Sequence, residues 1–586
     1  MDENSKLVYE FGPFRLEAAE RRLLHNGHSV PLTAKVFDIL LFLVQRNGHL
    51  VQKGELLKRV WPDNIVEENN LSVSIALLRK ALGESHNEHQ YIETVPKHGY
   101  RFIAEVREDL HVVPPGVSST ISFTECSAPL DTLAVLPFFD EGHSSDFDYL
   151  SDGLTETIIN NLSHLPRLKI MARNTVFRYR GSVLDPREIG QKLGVRAVLI
   201  GKMLQMNDCL TVSVELINVA DGSLVWGGRF ERPVSKILEL EEEISREISE
   251  KLRFELTSEE KTLLKKRYTD NCEAYYLYLK GRYLWKKYTA ECIQKGIEYF
   301  QQAIDLDAEY ALAYAGLADS YFRLSNTYLP PKKVLPQAKT AALQAVSLGD
   351  HLSEVHTSLG MVKLYYDHDW RGAQLEYIRA IELNHNAHLA YQRYGMYLVY
   401  CGRFEEALIQ FYRAQELDPL SLQVSVNKSA CLYLMGHADK AIRELQKVIE
   451  LESNFYPAHM TLGWVYVHEG RFKEAVAEAQ EGFRIGKDYA GLGLLGYAYA
   501  LSDKRRDAET VLNKLLRKFR RDYVSPYNIA IIYAALGKKD QAFKWLERAY
   551  EGRCDWLVWL KVSPELSSLR DDSRYAELLK KVGHSS

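Results

Sequence analysis

The chain has 586 residues, 46% of them hydrophobic and 26% charged, with a formal net charge of −4. That length exceeds a single core and sets an expectation of about three or four domains, while the near-neutral balance excludes binding of nucleic acid or membrane through global charge and leaves room only for a local basic surface. No apolar run approaches the roughly 18 residues of a membrane helix, the acidic start MDENSKLVYE lacks the apolar core of a secretion signal, and seven scattered cysteines with no C-x-x-C pair fit free thiols in a reducing cytoplasm better than disulfides or zinc.

The first region, 7 to 106, opens with strand-like pieces, LVYEFGPFRLE and RRLLHNGHSVPL, the second folded at an Asn26-Gly27 hairpin turn. Thr33 caps a helix whose Val36, Phe37, Leu40, Leu43 and Val44 form a core stripe and whose Gly48 ends it. A second helix, Lys53 to Val60, turns Leu56, Leu57 and Val60 inward and breaks at Trp61-Pro62. The third, NNLSVSIALLRKAL, carries Leu71, Ile75, Leu78 and Leu82 at i, i+4, i+7 and i+11, one stripe of an α-helix. Its other face is small and uncharged at Asn69, Asn70, Ser72, Val73, Ala76 and Leu77, with charge only at Arg79 and Lys80. YIETVPKHGYRFIAEV then alternates around a Pro-Lys-His-Gly turn, a β-hairpin.

Three helices and a hairpin predict a winged helix-turn-helix, with the third helix in a DNA major groove and the hairpin on an adjacent groove or phosphates. A groove-facing helix needs small side chains for close approach, amides and hydroxyls for base edges, and methyl groups for thymine. Asn69, Asn70, Ser72, Val73 and Ala76 meet that demand. Cations belong at the flanks, where phosphates lie, and Arg79, Lys80, Lys97, His98 and Arg101 are placed there. His98 is read as a phosphate contact or a wing-packing residue, not a catalyst.

At these residues the sequence resembles the OmpR/PhoB-type effector domain along its full length, most specifically at RKAL and HGYRF. The resemblance implies a four-stranded N-terminal sheet, a recognition helix at about 69 to 82 and a wing at about 91 to 103. It also implies a loop that touches RNA polymerase, here Trp61, Pro62, Asp63, Asn64, Ile65, Val66 and Glu67. Ala76 and Leu77 stand where many members carry two arginines, which implies fewer phosphate and guanine contacts and a different target site. No receiver domain precedes the region, so the order is similar to the one-component CadC- and HilA-like activators. The absence of a membrane helix favours the soluble, HilA-like layout.

Residues 108 to 130, rich in proline, serine and glycine, read as a linker between a DNA-binding domain at 1–107 and a small mixed α/β domain at 131–260. In the latter the order β-α-β-α-β-β-β is expected: TLAVLPFF a buried strand, YLSDGLTETIINNLSHL a helix capped by Ser151 or Asp152, RLKIMA a strand, DPREIGQKLGV a helix, and three strands joined in part by an Asp221-Gly222 hairpin. Asp152, Glu156, Arg173 and Arg180 could line a ligand pocket, but a solvated face is the favoured reading. Residues 236 to 266 read as one long charged helix with Leu240, Ile244, Ile248 and Leu252 inward, and ELEEEISREISE as its solvated face. This module resembles the TolB-N-terminal-like domain, a resemblance that implies no ligand.

From 261 to 586 a period of 34 residues governs the sequence. It links Gly395, Ser429 and Gly463, then Gly402, Gly436 and Gly470, then Ala407, Ala441 and Ala475. The pattern resembles the tetratricopeptide repeat, about seven or eight units over roughly 272 to 565, with NTYLPPKKVLP (326 to 336) an insertion in the first full unit. The fold class is therefore multidomain α+β: a winged helix-turn-helix, a small mixed α/β domain and an all-α repeat superhelix.

The functional reading is a cytoplasmic, sequence-specific transcription regulator, an activator by layout. It engages double-stranded promoter DNA as a homodimer or tandem array, contacts RNA polymerase, and binds a protein or peptide on its repeats. LIGK at 199 to 202 lacks phosphate-loop spacing, and no kinase motif or metal-spaced acid pair occurs. We assign no enzyme activity, catalytic residue, metal, cofactor or membrane partner. The rival reading is a scaffold or co-chaperone-like protein whose winged domain contacts only protein; charge reversal at Lys97 and Arg101 separates the two.

Overall fold

The computed structural model describes residues 7–17, 22–25, 28–30, 32, 34–60, 71, 75, 78–79, 81–82, 84, 90–95, 98–104, 106–110, 130–140, 148–182, 184–206, 208–252, 268–287, 289–486 and 489–584. The chain divides into two compact units, Met1–Cys126 and Ser127–Ser586.

In the first unit, β1 (Leu7–Phe11), β2 (Phe14–Glu17), β3 (Arg22–His25) and β4 (His28–Val30) run antiparallel in sequence order. His25 pairs with His28, so two residues alone join β3 to β4, the spacing of a tight hairpin. Asn26, Gly27 and the expected cap Thr33 lie outside the described residues. Helix α1 (Ala34–Gln45) buries Val36, Phe37, Leu40, Leu43 and Val44 as its periodicity requires, and Gly48 follows it at φ +75°, a left-handed conformation that glycine adopts without a Cβ clash. Strand β5 (Leu50–Gln52) leads into α2 (Lys53–Val60). The hairpin β6 (Ile92–Val95) and β7 (Gly99–Phe102) joins β5 in a separate sheet of order β5-β7-β6. Between the two sheets the Phe11 and Phe102 rings meet edge-on at 5.0 Å.

The sequence reading is corrected at residue 108. Strand β8 (Arg107–Leu110) lies on the open edge of β1, Leu7 opposite Leu110, so this sheet has five strands where the resemblance implied four, and residues 108–110 belong to it. REDL shows no apolar alternation because an edge strand is ordered by backbone pairing, which composition does not reveal.

The second unit begins with a sheet of order β11-β9-β12-β13-β14. Here β9 (Thr132–Val135) runs parallel to β11 (Lys169–Ile170) and β12 (Ala197–Met206), and β10 (Phe139–Asp140) pairs with β12 farther along. Strands β13 (Cys209–Asn218) and β14 (Leu224–Pro233) add antiparallel, turning at Asp221-Gly222 with Gly222 at φ +76°. Helix Asp148–Ser163 starts before its expected caps. Ser151 and Asp152 lie inside it and are buried, because the apolar stripe begins already at Leu150. Helix Ile237–Lys251 buries Leu240, Ile244 and Ile248, and Leu252 follows, also buried; the extension expected to 266 lies outside the described residues. Its acidic run is not wholly solvated. Glu241 is buried, accepts a hydrogen bond from the Tyr275 hydroxyl at 2.5 Å, and burial pushes its carboxyl up to about 8, so it is neutral at pH 7.

Among the described residues sixteen helices from Cys272 to Glu551 follow as eight consecutive pairs. The glycines of this helix position sit at close crossings: a Cβ on Gly395 would lie 2.6 Å from the Phe411 ring, one on Gly463 2.7 Å from Leu494, and one on Gly360, in the preceding unit, 2.8 Å from Tyr377. The second glycine series, Gly402, Gly436 and Gly470, has φ of +77°, +84° and +72° at the turns between paired helices. The extra residues expected at 326 to 336 form no separate loop: they are the end of helix Ala311–Thr327, a short turn, and the start of helix Pro331–Gly349, and so lengthen the second pair. Proline is compatible with a first helical position, so PP there marks a helix start. The array ends by touching its own middle. The Trp370 indole donates to the Val582 carbonyl at 2.7 Å, and Trp559 meets the Tyr400 ring at 4.8 Å.

The β-sheet and the repeats share one continuous apolar core running from Leu133 to Val558. Polar contacts reinforce it: Ala172 N–H donates to the Leu417 carbonyl at 2.8 Å, Thr175 Oγ1 to Asp418 at 2.7 Å, and Asn386 Nδ2 to the Ser163 and Leu168 carbonyls at 2.9 Å each. No helix among the described residues is long and apolar enough to cross a membrane.

Candidate nucleic-acid interface

The third helix of the first unit is held by the stripe its sequence carries. Leu71, Ile75 and Leu78 are helical and buried, and Leu82 is buried at the end of the stripe. Next to Leu78, Arg79 turns toward the wing. Its Nη2 donates to the Ile92 carbonyl at 2.8 Å and to Thr94 Oγ1 at 2.7 Å, and its Nε lies 3.4 Å from Glu84. The Glu84 side chain is wholly shielded from solvent and accepts the backbone N–H groups of Tyr91 and Ile92. Arg79 and Glu84, an ion pair, each bond to the wing, and such charge-assisted hydrogen bonds, from the guanidinium to Ile92 and Thr94 and from the Tyr91 and Ile92 amides to the carboxylate, are the stronger class.

This places Arg79 differently from the sequence reading, which set it among the phosphate-flanking cations; its guanidinium is engaged inside the domain. Glu84 was missed altogether. Its only trace is the acid closing RKALGE, and no local period shows that this acid must reach residues 91 and 92. His98 is exposed at the wing turn, with its N–H on the Val95 carbonyl at 3.1 Å. Arg101 pairs with Glu93 across the strands at 3.0 Å, half-exposed on both sides. Exposed pairs of this kind contribute little, about 0–1 kcal/mol, so a phosphate can compete for the guanidinium. The remaining expected contacts, Asn69, Asn70, Ser72, Val73, Ala76, Lys80 and Lys97, and the loop Trp61 to Glu67, lie outside the described residues.

The glycine of HGYRF has a steric cause. A Cβ on Gly99 would fall 1.9 Å from the Val51 carbonyl oxygen, so β5 can cross β7 only over a bare backbone. Gly99→Ala is therefore expected to part β5 from the wing and destabilise this domain by about 1–3 kcal/mol. Chemical denaturation of a fragment spanning 1–126, with hydrogen exchange at Val51 and Tyr100, checks it; unchanged protection there overturns the steric account.

The four middle-domain charges the sequence grouped do come together, paired with one another. Arg173 pairs with Asp152 at 3.1 Å and with Glu156 at 3.2 Å, and Arg180 also pairs with Asp152. Two further cations arrive from the first repeat helix, Cys272–Trp285, and the residue after it: Arg282 at 2.8 Å from Glu156, and Lys286 on its other oxygen. The favoured solvated face is thus corrected to a largely buried ion cluster between sheet domain and repeats. Arg282 and Lys286 lie more than a hundred residues from Glu156, beyond any sequence pattern.

Comparison with known proteins follows the same order along the chain. Residues 27–102 match the family described as transcriptional regulatory protein, C terminal; residues 129–247 match HilA/YgeH-like transcriptional regulator, second domain; residues 527–551 match a tetratricopeptide repeat. The transcriptional regulator HilA of Salmonella typhimurium is 25% identical over 448 residues, 75% of each chain. A protein named putative adenylate cyclase 3 of Rhizobium meliloti is 27% identical over 280 residues, 44% of this chain and 47% of that one. The transcriptional activator CadC of Escherichia coli is 31% identical over 100 residues, 17% of this chain and 20% of its own.

Proposed function

We propose that this chain, which carries an OmpR/PhoB-type DNA-binding domain, a HilA/YgeH-like second domain and tetratricopeptide repeats and is homologous to the HilA and CadC transcriptional regulators, regulates transcription by binding promoter DNA sequence-specifically. The observation that carries this reading is the buried stripe Leu71, Ile75, Leu78 and Leu82 with the wing locked to it through Arg79 and Glu84. That arrangement presents a helix and a wing as one rigid reader. In it Asn69, Asn70, Ser72, Val73 and Ala76 meet base edges, Lys80, Lys97, His98 and Arg101 meet phosphates, and Arg79 acts as a positioning residue. We assign the loop Trp61 to Glu67 to RNA polymerase, and pairing of two copies to direct-repeat sites. The repeats take a protein partner, the chain acts in the cytoplasm, and it performs no catalysis.

Genome-wide mapping of bound DNA tests this. Asn70→Ala with Ser72→Ala should lower affinity for the mapped sites about tenfold, with weaker loss on random DNA, because base contacts specify. Lys97→Glu should weaken binding to all DNA alike and flatten its salt dependence. Featureless maps that do not differ between wild type and variants would favour the scaffold reading instead.

A further inference from the structure

Beyond DNA binding, the repeats enclose a cavity of about 240 Å³ that nothing above uses. Its walls come from the first helices of the fifth and sixth pairs, Leu422–Leu434 and Tyr456–His468, and from the turns Asp555–Trp559 and Pro564–Leu569 that fold back over them. Aromatic rings dominate: Tyr433, Trp464, Trp556 and Trp559 line it, with His468. The His468 imidazole stacks at 5.8 Å on Tyr433 and at 6.2 Å on Trp464, and burial pushes it down to about 4, so it serves as a further neutral plane. Of the lining residues Glu565 alone carries a carboxylate, and none is lysine or arginine. Glu565 accepts the Tyr527 hydroxyl at 2.9 Å and, among the described residues, forms no ion pair; burial raises its carboxyl above the ordinary value, with nearby Arg570 acting against that rise.

We propose that this cavity binds a compact organic cation, an alkylated ammonium such as a trimethylammonium group, between the tryptophan and tyrosine rings with Glu565 as its counter-charge. Ring faces attract positive charge, and a cation brought into the cavity would offset the burial that raises the Glu565 carboxyl. The apolar walls exclude a strongly hydrated ion, whose lost water they cannot replace. The volume suits a small metabolite, below the size of drug-like ligands. Because the turns at 555–569 complete the cavity, such a ligand would fasten the end of the array to its centre.

The test titrates the full-length chain with choline and, separately, with its neutral isostere 3,3-dimethylbutan-1-ol, by calorimetry and tryptophan fluorescence. Choline should bind saturably and at least tenfold more tightly than the isostere. Glu565→Gln, which keeps shape and hydrogen bonding, should weaken choline about tenfold while thermal unfolding and DNA binding stay as in wild type, and Trp556→Leu should abolish the signal. Equal binding of the isostere, no saturation by choline, or full affinity in Glu565→Gln overturns the proposal. DNA binding is read in the same samples, so failure here leaves the regulatory reading standing.

Discussion

Glu156→Ala should lower the unfolding free energy of the second unit by about 3–5 kcal/mol, the usual cost of leaving buried charges without their partner. Burial opposes ionisation of this carboxyl, but Lys286, Arg282 and Arg173 together hold it well below the ordinary carboxylate value of 4.5. The side chains of those cations are only 17–26% exposed, and Arg173 also lies 3.7 Å from the centre of the Phe177 ring, so none can turn freely to water when the acid is removed. The loss should also loosen the sheet domain from the repeats, since Glu156 is where three cations from two regions converge. Seven of the eight tryptophans, at 226, 285, 370, 464, 545, 556 and 559, belong to the second unit, so denaturant unfolding followed by tryptophan fluorescence reports it. Glu156→Gln should fall between alanine and wild type. A midpoint unchanged in Glu156→Ala would mean that the cluster is only a surface feature.

Acidification should weaken the closure of the repeat array. His368 and His584 are both buried there: His368 stacks on Tyr550 at 6.1 Å, and the His584 ring lies 4.1 Å from Trp370. Neither nitrogen of His368, nor Nε2 of His584, has a hydrogen-bond partner among the described residues. Burial, with Arg553 and His584 adding, lowers His368 to about 4; burial, with Lys561 adding, lowers His584 to about 4. The folded chain therefore takes up these protons less readily than the unfolded chain, whose histidines titrate at 6.5. Stability is full above pH 6.5 and falls as the pH drops toward 4, by about 2 kcal/mol per histidine at pH 5. His356 and His459 act in the opposite sense. Burial opposes the charged form of His356, yet its bond to Glu376 raises it, and the bond to Glu478 raises His459, so both favour the fold in acid. The informative quantity is thus a difference. His368→Asn suits the left-handed backbone at φ +55°, and combined with His584→Gln it should shrink the drop in melting temperature between pH 7 and pH 5. An identical drop in wild type and double variant removes these two side chains from the account.

Much of the architecture was readable from local chemistry. The stripes of α1 and of the third helix, the hairpin spacings at 25–28 and 221–222, and the 34-residue glycine series all encode a periodic burial or a turn, and each lies within a few residues of its cause. Features set by backbone pairing or by distant partners were not readable. β8 shows no apolar pattern because an edge bond asks nothing of a side chain. The early start of helix Asp148–Ser163 depends on Leu150 finding a core supplied from elsewhere.

The candidate interface divides the same way. Sequence by itself determined which residues of the third helix turn inward, because helical period acts through immediate neighbours. Only the tertiary structure decided that Arg79 and Glu84 clamp the wing, that Gly99 makes room for the Val51 carbonyl, and that Asp152, Glu156, Arg173 and Arg180 meet Arg282 and Lys286. An arginine looks alike in sequence whether it awaits a phosphate or a buried carboxylate. The choice is made by whichever charge the folded chain brings within about 4 Å of it, where Coulomb attraction in a shielded site outweighs hydration.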